Sequence, residues 1–429
     1  MSNTKPPKEE ELVFPKDFLW GSSTAAHQVE GNNKNNDWWE FEQTRPPKFR
    51  SKDACNQYNK YKEDFKLLKD LGQNAHRLSL EWSRLEPTEG NWDEKEWEHY
   101  RKVLEELKKQ KIKICLTIHH FTNPKWLMAK GWEKRSVIKK FTRFAEEASK
   151  RFGDIVDVWI TINEPMVFLY QGWKVGTWPP NKKVSFWKTS RVFFNLVKAH
   201  KKAYKKIKKH SKSPIGIANN CQSFYPYDRR RLSSFIWVYF IELFTNHLFY
   251  FFSKIKNHDF LGLNYYFYHR VVKKGVFKTE FLDPEIEKRD RSDLGWEINP
   301  DGLFDVLLSL NHYKKPIFIT ECGLASTHDG RRQRFLVQFA RQVHHAIQSG
   351  VKVKGFFYWS FLDNFEWADG FEPRFGMVEV DYKTQKRTPR PSAYLYKKIA
   401  EQNKIDHDLF KFFGHNIDFD PKTNKTIDE

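Results

Sequence analysis

The sequence has few cysteines, and they follow no pattern that would hold a metal or cross-link the chain. Cys55, Cys115, Cys221 and Cys322 are the four cysteines in 429 residues, and none belongs to a CxxC pair. A zinc ribbon, a thioredoxin-like motif and a disulfide scaffold are therefore disfavoured. The polar residues 1–11 also lack the apolar run of a secretory signal. These absences predict a reducing, cytoplasmic setting.

The chain also lacks the features that divide a protein into repeats or separate domains. No short repeat recurs, and no linker rich in Gly, Ser or Pro interrupts the sequence. No GxGxxG follows a predicted strand, which disfavours a dinucleotide-binding doubly wound sheet. We predict a flexible N-terminus over 1–11, one domain over 12–401, and an exposed or loosely packed tail over 402–429.

Basic and aromatic residues are in excess. Lys and Arg total 74 against 54 Asp and Glu, which gives a net charge of +20, and 17% of the residues are aromatic. A pI near 9.5 is compatible with nucleic-acid binding, but the chain has no RRM-, OB- or zinc-finger-type motif. The lysines of 201–209 alternate with Ala203, Tyr204 and Ile207. This pattern favours a solvated outer helix face over a phosphate-binding patch.

Residues 232–252 form a long apolar run, LSSFIWVYFIELFTNHLFYFF. The run is long enough for a membrane helix, but Glu242, Asn246 and His247 lie near its middle. A central acid costs about 2.5–3.5 kcal/mol of insertion free energy. We predict a helix that is buried or covered by a partner and does not span a membrane. Membrane contact, an apolar ligand and self-association remain alternatives.

Eight apolar runs alternate with amphipathic segments. In 57–71, Tyr58, Tyr61, Phe65 and Leu68 recur every three or four positions, as in a helix with one buried face. Buried strands that alternate with such helices predict a parallel sheet with right-handed crossovers. Eight units close a (β/α)8 TIM barrel, here an α/β single domain with long βα loops. The predicted strands lie in 17–23, 74–82, 112–121, 156–165, 213–220, 259–266, 316–323 and 353–361.

The predicted strand ends carry polar and aromatic side chains. Glu164 ends the fourth run, Glu321 lies at the end of the seventh, and Glu366 follows the eighth. Active sites of such barrels lie at the carboxyl ends of the strands. Paired carboxylates can hydrolyse a glycosidic bond, amides and carboxylates bind vicinal hydroxyls, and flat aromatic rings pack on sugars. Because Pro165 disfavours the α conformation in its predecessor, we expect Glu164 to be extended.

Metal and thiol chemistry have less support. His119 and His120 are adjacent on a strand and point to opposite faces, so both cannot bind one metal. No third His or Cys follows at ligand spacing. Cys322 has no apparent catalytic His beside it, so a packed thiol is favoured. We predict no metal and no cofactor.

The motifs together resemble glycoside hydrolase family 1, the β-glucosidase and β-galactosidase type of β-glycosidase. The resemblance covers about residues 12–400, and its motifs follow the order of the eight predicted strands. It implies a (β/α)8 barrel. The motifs are FPKDFLWGSSTAAHQVEG (14–31), RLSLEWSR (77–84), HHFTNP (119–124), TINEP (161–165), LGLNYY (261–266), ITECG (319–323) and YWSFLDNFEW (358–367).

The resemblance implies a retaining exo-β-glycosidase that acts through a covalent glycosyl-enzyme. Glu164 would be the general acid/base and Glu321 the nucleophile, with Tyr266 orienting Glu321 and Arg77 keeping it ionised. Asn163 would bind the 2-hydroxyl of the sugar. The remaining pocket residues would be Gln28, His120, Asn264, Trp359, Glu366, Trp367 and Phe375. A carboxylate at Glu366 would repel a phosphate, which implies unphosphorylated glucose- or galactose-type glycosides or oligosaccharides as substrates and no nucleic-acid partner.

Two departures from the family pattern accompany this resemblance. Cys322 stands where Asn is usual, and the region 226–259 is short, aromatic and basic. The shortening could remove a barrel helix and leave a hydrophobic groove.

A non-catalytic sugar-binding protein on a glycosidase scaffold is the alternative function.

Overall fold

Eight parallel strands close into one barrel, and each lies in one of the eight predicted apolar runs. The computed structural model describes residues 10–128, 131–274, 279–283, 289–414, 417–420 and 425–428, so most of the predicted N-terminal segment 1–11 lies outside the described residues. The barrel strands, β1 to β8 in chain order, are Leu19–Ser23, Ala75–Ser79, Lys113–His119, Val158–Asn163, Ile215–Asn220, Leu261–Tyr265, Ile317–Cys322 and Val353–Trp359.

A long helix follows every barrel strand, which confirms the (β/α)8 prediction. The fifth helix is present, so the expectation that the short region 226–259 had lost a barrel helix is wrong. This helix, Leu232–Ser253, contains a π-helical turn over Leu243–His247. The helices, α1 to α8, are Gln57–Asp70, Glu94–Lys109, Ser136–Phe152, Phe186–Ile207, Leu232–Ser253, Pro300–Asn311, Asp329–Gln348 and Pro391–Gln402.

The helices form because their apolar residues recur at helical spacing and because the free backbone groups at their ends find hydrogen-bond partners. In α2, Trp97, Tyr100, Leu104 and Leu107 are buried against the barrel. The Asp93 carboxylate caps this helix by accepting from the first free backbone N–H groups.

The barrel interior is filled by a separate group of side chains contributed by neighbouring strands. They are Ala75, Cys115, Val158, Ile160, Ala218, Phe260, Phe318 and Phe357.

Shorter elements occupy the loops, and most of them follow the carboxyl ends of the strands. One three-stranded sheet, formed by Ser223–Pro226, Tyr268–Lys273 and Thr279–Phe281, packs under α5. The other strands are Leu12–Val13, Val378–Val380, Arg387–Pro389, Lys404–Ile405, Ile417–Asp420 and Lys425–Asp428. The short helices and helical turns are Ala26–Val29, Asp37–Gln43, Pro47–Phe49, Trp82–Leu85, Lys125–Met128, Gly131–Glu133, Pro165–Leu169, Tyr170–Val175, Ile255–Asn257, Trp367–Asp369 and His407–Phe413.

Helix α5 is not buried within the chain, so of the two alternatives expected for 232–252 burial is wrong, and cover by a partner stays a prediction. Among the described residues it is the one helix long and apolar enough to cross a membrane, and 28% of its most apolar window is buried. Val238 and Tyr250 face inward, whereas Tyr239 and Phe244 lie on the surface. The apolar run therefore has a face that the rest of the chain leaves uncovered.

The first part of the predicted tail is packed firmly against the domain, which corrects the expectation of an exposed or loosely packed tail for the described residues 402–413. Strand Lys404–Ile405 pairs antiparallel with Leu12–Val13. Leu409 and Phe412 are fully buried, and the Arg341 guanidinium of α7 lies 4.3 Å from the centroid of the Phe413 ring. Residues 402–413 thus complete the hydrophobic core instead of extending from it.

We predict that Phe412→Ala destabilises the whole domain, because it removes a fully buried aromatic side chain. The expected loss is about 3–5 kcal/mol in the free energy of unfolding, measured by chemical denaturation. Lys411→Ala, at an exposed neighbouring position, should change this free energy little. Equal stability of the two variants would contradict the packing of the tail.

Candidate active site

The two predicted catalytic acids meet at the carboxyl end of the barrel. Glu164 follows β4, and Glu321 is the fifth residue of β7. Strand β6 lies between β5 and β7, and its Asn264 is in register with both Asn220 and Glu321. Both acids are almost fully buried, with exposed fractions of 6% for Glu164 and 4% for Glu321.

Glu321 is surrounded by groups that stabilise its charged form. The Arg77 guanidinium forms an ion pair with one carboxylate oxygen, and the Tyr266 hydroxyl donates to the other at 2.8 Å. An adjacent opposite charge and a hydrogen-bond donor both favour an ionised carboxylate. Burial and the charge of Glu321 raise the pKa of Tyr266 well above its usual value, so the phenol stays a donor.

Arg77 is itself held by residues of three other barrel strands, β3, β4 and β7. Its guanidinium donates to Asn163 Oδ1 at 2.6 Å, to Thr117 Oγ1 at 3.1 Å and to the Thr320 carbonyl at 3.2 Å. The side chain has no exposed surface. A fully buried cation must be paired and hydrogen-bonded, and here the ion-pair partner is Glu321. The guanidinium therefore has one fixed position at the base of the site.

Glu164 has a different environment from Glu321. Asn264 Nδ2 and Asn220 Nδ2 donate to its Oε1 at 2.9 and 3.1 Å. Burial and the nearby charge of Glu321 raise its pKa to about 7 despite these two donors. A large fraction of Glu164 is therefore protonated near neutral pH. Two neighbouring acids in such different surroundings, one beside Arg77 and Tyr266 and one beside two asparagines, are the usual sign of one nucleophile and one acid.

The backbone of Glu164 is left-handed, not extended as we expected from the following proline. Its φ is 42° and its ψ is 59°. Pro165 is the first residue of helix Pro165–Leu169, and the Glu164 carbonyl accepts from the Phe168 N–H at 2.9 Å. The chain must turn at Glu164 directly from strand into helix, and this requirement outweighs the local preference for extended backbone.

Two polar atoms at the wall of the site are buried and have no hydrogen-bond partner among the described residues. Gln28 Oε1 is one, while its Nε2 donates to Asn364 and to the Phe365 carbonyl at 2.9 Å each. His120 Nδ1 is the other, while Asn163 Nδ2 donates to His120 Nε2 at 3.1 Å.

His120 is neutral and presents a hydrogen-bond donor. Burial and then the charge of Arg77 lower its pKa well below the usual value. Because Nε2 accepts from Asn163, the single imidazole proton lies on Nδ1. The site thus offers one unsatisfied acceptor at Gln28 and one unsatisfied donor at His120. Buried polar groups are normally paired, so a hydroxyl-bearing ligand fits both.

Flat rings line the same wall. The His120 ring stacks against Trp359 and Trp367, with centroids 6.1 and 6.0 Å apart. Phe375 is buried beside Tyr266, with ring centroids 6.3 Å apart. Such faces can pack against the C–H groups of a sugar ring.

Glu366 carries a proton more often than we expected from the sequence. Burial and the charge of Glu321 raise its pKa to about 8, although Trp359 and Gln28 donate hydrogen bonds to it. In the free protein at neutral pH the group is therefore mostly a neutral acid that can both donate and accept. We expected Glu366 to carry a negative charge that would repel a phosphate, and its raised pKa corrects this expectation for the free protein at neutral pH.

All twelve predicted site residues belong to one connected set of hydrogen bonds, ion pairs and ring contacts. The set contains Glu164, Glu321, Arg77, Tyr266, Asn163, Asn264, His120, Gln28, Glu366, Trp359, Trp367 and Phe375.

Sequence reasoning missed Asn220, and it placed Asn364 after the eighth strand without assigning it to the site. Asn220 is the last residue of β5, so the strand-end rule that identified residues on other strands also identifies it. In the part of the chain that the structure describes, no group of three or more His, Cys, Asp or Glu residues is placed to hold a metal ion. Burial raises the pKa of the Cys322 thiol well above its usual value, as in a packed, neutral thiol.

Comparisons with known proteins agree with this arrangement. The model of glycosyl hydrolase family 1 matches residues 10–250 and 252–405. β-Glucosidase A of Thermotoga maritima is 32% identical over 92% of this chain and 99% of that protein. A 6-phospho-β-galactosidase of Leptotrichia buccalis is 31% identical over 91% and 99%. The solved β-glycosidase structure from Pyrococcus horikoshii is 37% identical, covers 94% of this chain and 99% of that chain, and has a TM-score of 0.88.

The family match extends over the barrel and includes both buried acids and their partners. The matched relatives are covered almost end to end, and they are named for the hydrolysis of β-glucosides and β-galactosides. The chain therefore belongs to glycosyl hydrolase family 1 and is an enzyme that hydrolyses β-glycosides.

Proposed function

We propose that the protein is a retaining exo-β-glycosidase that releases unphosphorylated glucose- or galactose-type sugars through a covalent glycosyl-enzyme. The observation that carries this proposal is the opposite environment of two buried acids. Arg77 and Tyr266 stabilise the charge of Glu321, whereas burial and that charge raise the pKa of Glu164 to about 7. Retention requires the two carboxyl groups to lie about 5–5.5 Å apart.

In the first step, a Glu321 carboxylate oxygen bonds to the anomeric carbon. The bond from that carbon to the leaving oxygen breaks, and Glu164 transfers its proton to this oxygen, so the aglycone leaves as an alcohol. The products are a glycosyl ester at Glu321 and a Glu164 carboxylate. Ester formation removes the negative charge that raised the pKa of Glu164. The carboxylate form of Glu164 is therefore stabilised when the mechanism needs a base.

In the second step, Glu164 removes a proton from water as the water oxygen bonds to the anomeric carbon. The bond to Glu321 breaks and its carboxylate is restored beside Arg77. Each step inverts the anomeric carbon, so the sugar is released with its original β configuration.

The glycone would be held by the unsatisfied groups of the wall. Gln28 Oε1 can accept from a sugar hydroxyl, and His120 Nδ1–H can donate to one. Asn163 has its Oδ1 engaged by Arg77 and Asn264, which fixes the amide where the 2-hydroxyl is expected. Trp359 would supply a flat face for the ring. Glu366, mostly neutral in the free enzyme, can bridge two hydroxyls.

A phosphorylated glycone is the competing substrate, because one relative is named 6-phospho-β-galactosidase. Among the described residues, the side chains that donate to Glu366 are Gln28 and Trp359, and neither carries a charge. A phosphate buried at this position would lack a hydrogen-bonded counter-charge and would carry an uncompensated desolvation cost. This chemistry favours the unphosphorylated sugar.

We also propose that the enzyme works in the cytoplasm. Its four cysteines are all free and buried. Unpaired thiols are the usual state in a reducing compartment.

Glu321→Gly and Glu164→Ala should give opposite products with azide and a nitrophenyl β-glucoside. Glu321→Gly should lose about 10⁴-fold or more in kcat, and azide, entering where the Glu321 oxygen attacked, should yield the α-glycosyl azide. Glu164→Ala should lose about 10²–10⁴-fold, and azide should attack the glycosyl-enzyme to give the β-azide.

NMR of the azide products distinguishes these outcomes. Glu372→Gln, at an exposed carboxylate, is the matched control and should keep wild-type rates. The same anomer from both variants would contradict the assigned roles. A folded wild-type protein with no turnover would support the sugar-binding alternative.

The kcat/KM of the free enzyme should fall as pH rises through about 7, because Glu164 must be protonated to start the reaction. Asn220→Ala removes a donor that favours the Glu164 carboxylate. It should therefore raise the Glu164 pKa and move this alkaline limb to higher pH.

Asn364→Ala is the control for this shift, since Asn364 contacts Gln28 and not Glu164. It should lower kcat/KM without moving the limb. An unchanged limb in Asn220→Ala would show that Asn220 does not tune Glu164.

Initial rates on nitrophenyl β-glucoside, β-galactoside and 6-phospho-β-glucoside measure the glycone preference. We expect the two unphosphorylated substrates to exceed the phosphorylated one by about 100-fold in kcat/KM. A higher value for the 6-phosphoglucoside would overturn the assignment of the pocket.

A further inference from the structure

Helix α5 has an apolar stripe on the side that faces away from the protein. We call this stripe the aromatic face, and it consists of Phe235, Ile236, Tyr239, Phe240, Phe244 and Phe251, which are 44–73% exposed. Most of the residues follow the three- and four-residue spacing of one helix side, and Phe251 lies seven positions, about two turns, after Phe244. A surface helix normally places its polar residues outward, so the pattern of α5 is inverted.

The aromatic face continues onto the neighbouring helix. Phe186 and Trp187 at the start of α4 are 71% and 79% exposed. Further along α4, the Phe194 ring packs on Phe252 of α5 with their centroids 5.2 Å apart. The two helices therefore meet through apolar side chains and both expose aromatic rings, and exposed apolar surface of this kind marks an interaction site.

The opposite side of α5 is fixed to the barrel by polar contacts. Asn246 accepts from the Gln222 backbone at 2.9 Å and donates to it at 2.8 Å. His247 hydrogen-bonds Ser309 and Tyr313 at 3.0 and 3.1 Å. A helix that crossed a bilayer would lose these contacts and bury Glu242 in hydrocarbon. The outer face alone is available, so α5 can lie on a membrane but not span it.

Positive charge surrounds this surface. Residues 186–256 contain 15 Lys and Arg but only two acids, Asp228 and Glu242. Asp228 pairs with Arg231, and Glu242 bonds Ser309. Burial and the charges of nearby lysines, Lys254 first, lower the pKa of Lys201. This segment therefore holds 13 of the 20 net positive charges of the chain. Lys206 and Lys208 pair with acids outside it, Glu146 and Asp259, and the other Lys and Arg of the segment, Arg231 excepted, form no ion pair among the described residues.

The charge distinguishes between the candidate occupants. A second copy docked by the same face would bring two basic surfaces together, and like charges oppose such a contact. An anionic bilayer satisfies both features, since acyl chains accept apolar side chains and acidic headgroups attract Lys and Arg. Trp and Tyr, present here as Trp187 and Tyr239, are also favoured at the bilayer interface.

We propose that the aromatic face of α5, with the start of α4, docks the enzyme onto the surface of an anionic lipid bilayer. The helix lies in the plane of the interface with its aromatic side chains about 5–10 Å into the boundary of headgroups and acyl chains. The basic residues of α4 and of the segment before α5 contact the acidic headgroups.

The test is co-sedimentation of the full-length enzyme with large vesicles. The wild-type protein should bind vesicles of equal parts phosphatidylglycerol and phosphatidylcholine, and should bind pure phosphatidylcholine about tenfold less. Binding should also weaken in about 1 M NaCl, where charges are screened beyond about 3 Å. Phe240→Ser/Phe244→Ser should reduce partitioning by about tenfold or more, because two inserted side chains are lost.

Val13→Ser/Tyr394→Ser is the matched control, since these two exposed apolar residues lie outside α4 and α5. It should bind vesicles as the wild type does, and nitrophenyl glycoside hydrolysis should show that both double variants are folded. Equal binding by all three proteins, or none by the wild type, would overturn the proposal. A wild-type dimer in sedimentation velocity that Phe240→Ser/Phe244→Ser dissociates, without vesicle binding, would assign the face to a second copy instead.

Discussion

The active site depends on the buried ion pair between Arg77 and Glu321. Arg77 comes from β2, and it contacts Thr117 of β3, Asn163 of β4 and Glu321 of β7. Removing one partner of such a pair leaves an uncompensated buried charge, which is usually strongly destabilising. Glu321 is therefore the counter-ion that allows a cation inside the barrel as well as the proposed nucleophile. The same contact joins the stability of the fold to the chemistry of the site.

After burial, the charge of Glu321 is the largest influence that raises the pKa of its two acidic neighbours. Together with burial, it raises the pKa of Glu164 to about 7 and that of Glu366 to about 8. Both values exceed those of acids in the unfolded chain, so the folded state retains protons that the unfolded state releases. The contribution of these two groups to stability therefore falls as pH rises from about 4 through these pKa values. The same raised pKa that keeps Glu164 protonated near neutral pH therefore lowers the free energy of unfolding there, relative to lower pH.

The sequence predicted the eight strands from short-range patterns, and the same patterns placed Glu164 and Glu321 at strand ends, whereas the roles of the other site residues came from the family resemblance. A buried parallel strand is a short apolar run, and its last residues must lie at the end of the barrel where the site forms. The errors concern properties that depend on distant residues. The sequence marked 232–252 as a long apolar run and 402–429 as an exposed or loosely packed tail, but it did not show what each apolar side chain would face. Leu409 is buried in the core, whereas Phe240 is exposed to solvent. At Glu164, the preference for extended backbone before a proline is likewise outweighed by the turn into helix Pro165–Leu169.

The basic residues of α4 and of the segment before α5 lie outside the barrel, apart from the acids of the active site. The aromatic face and the active site nevertheless share the carboxyl edge of the barrel. Each barrel helix begins where a strand ends, so α4 and α5 both start at the carboxyl edge that carries Glu164 and Glu321. The aromatic face then runs down the outside of the barrel, and its side chains take no part in the network around Arg77. A docked enzyme would keep the carboxyl edge beside the bilayer surface while the Glu321 charge stayed enclosed within the barrel. The excess of basic and aromatic residues is then explained by two surfaces with different physical chemistry, one for a sugar and one for lipid.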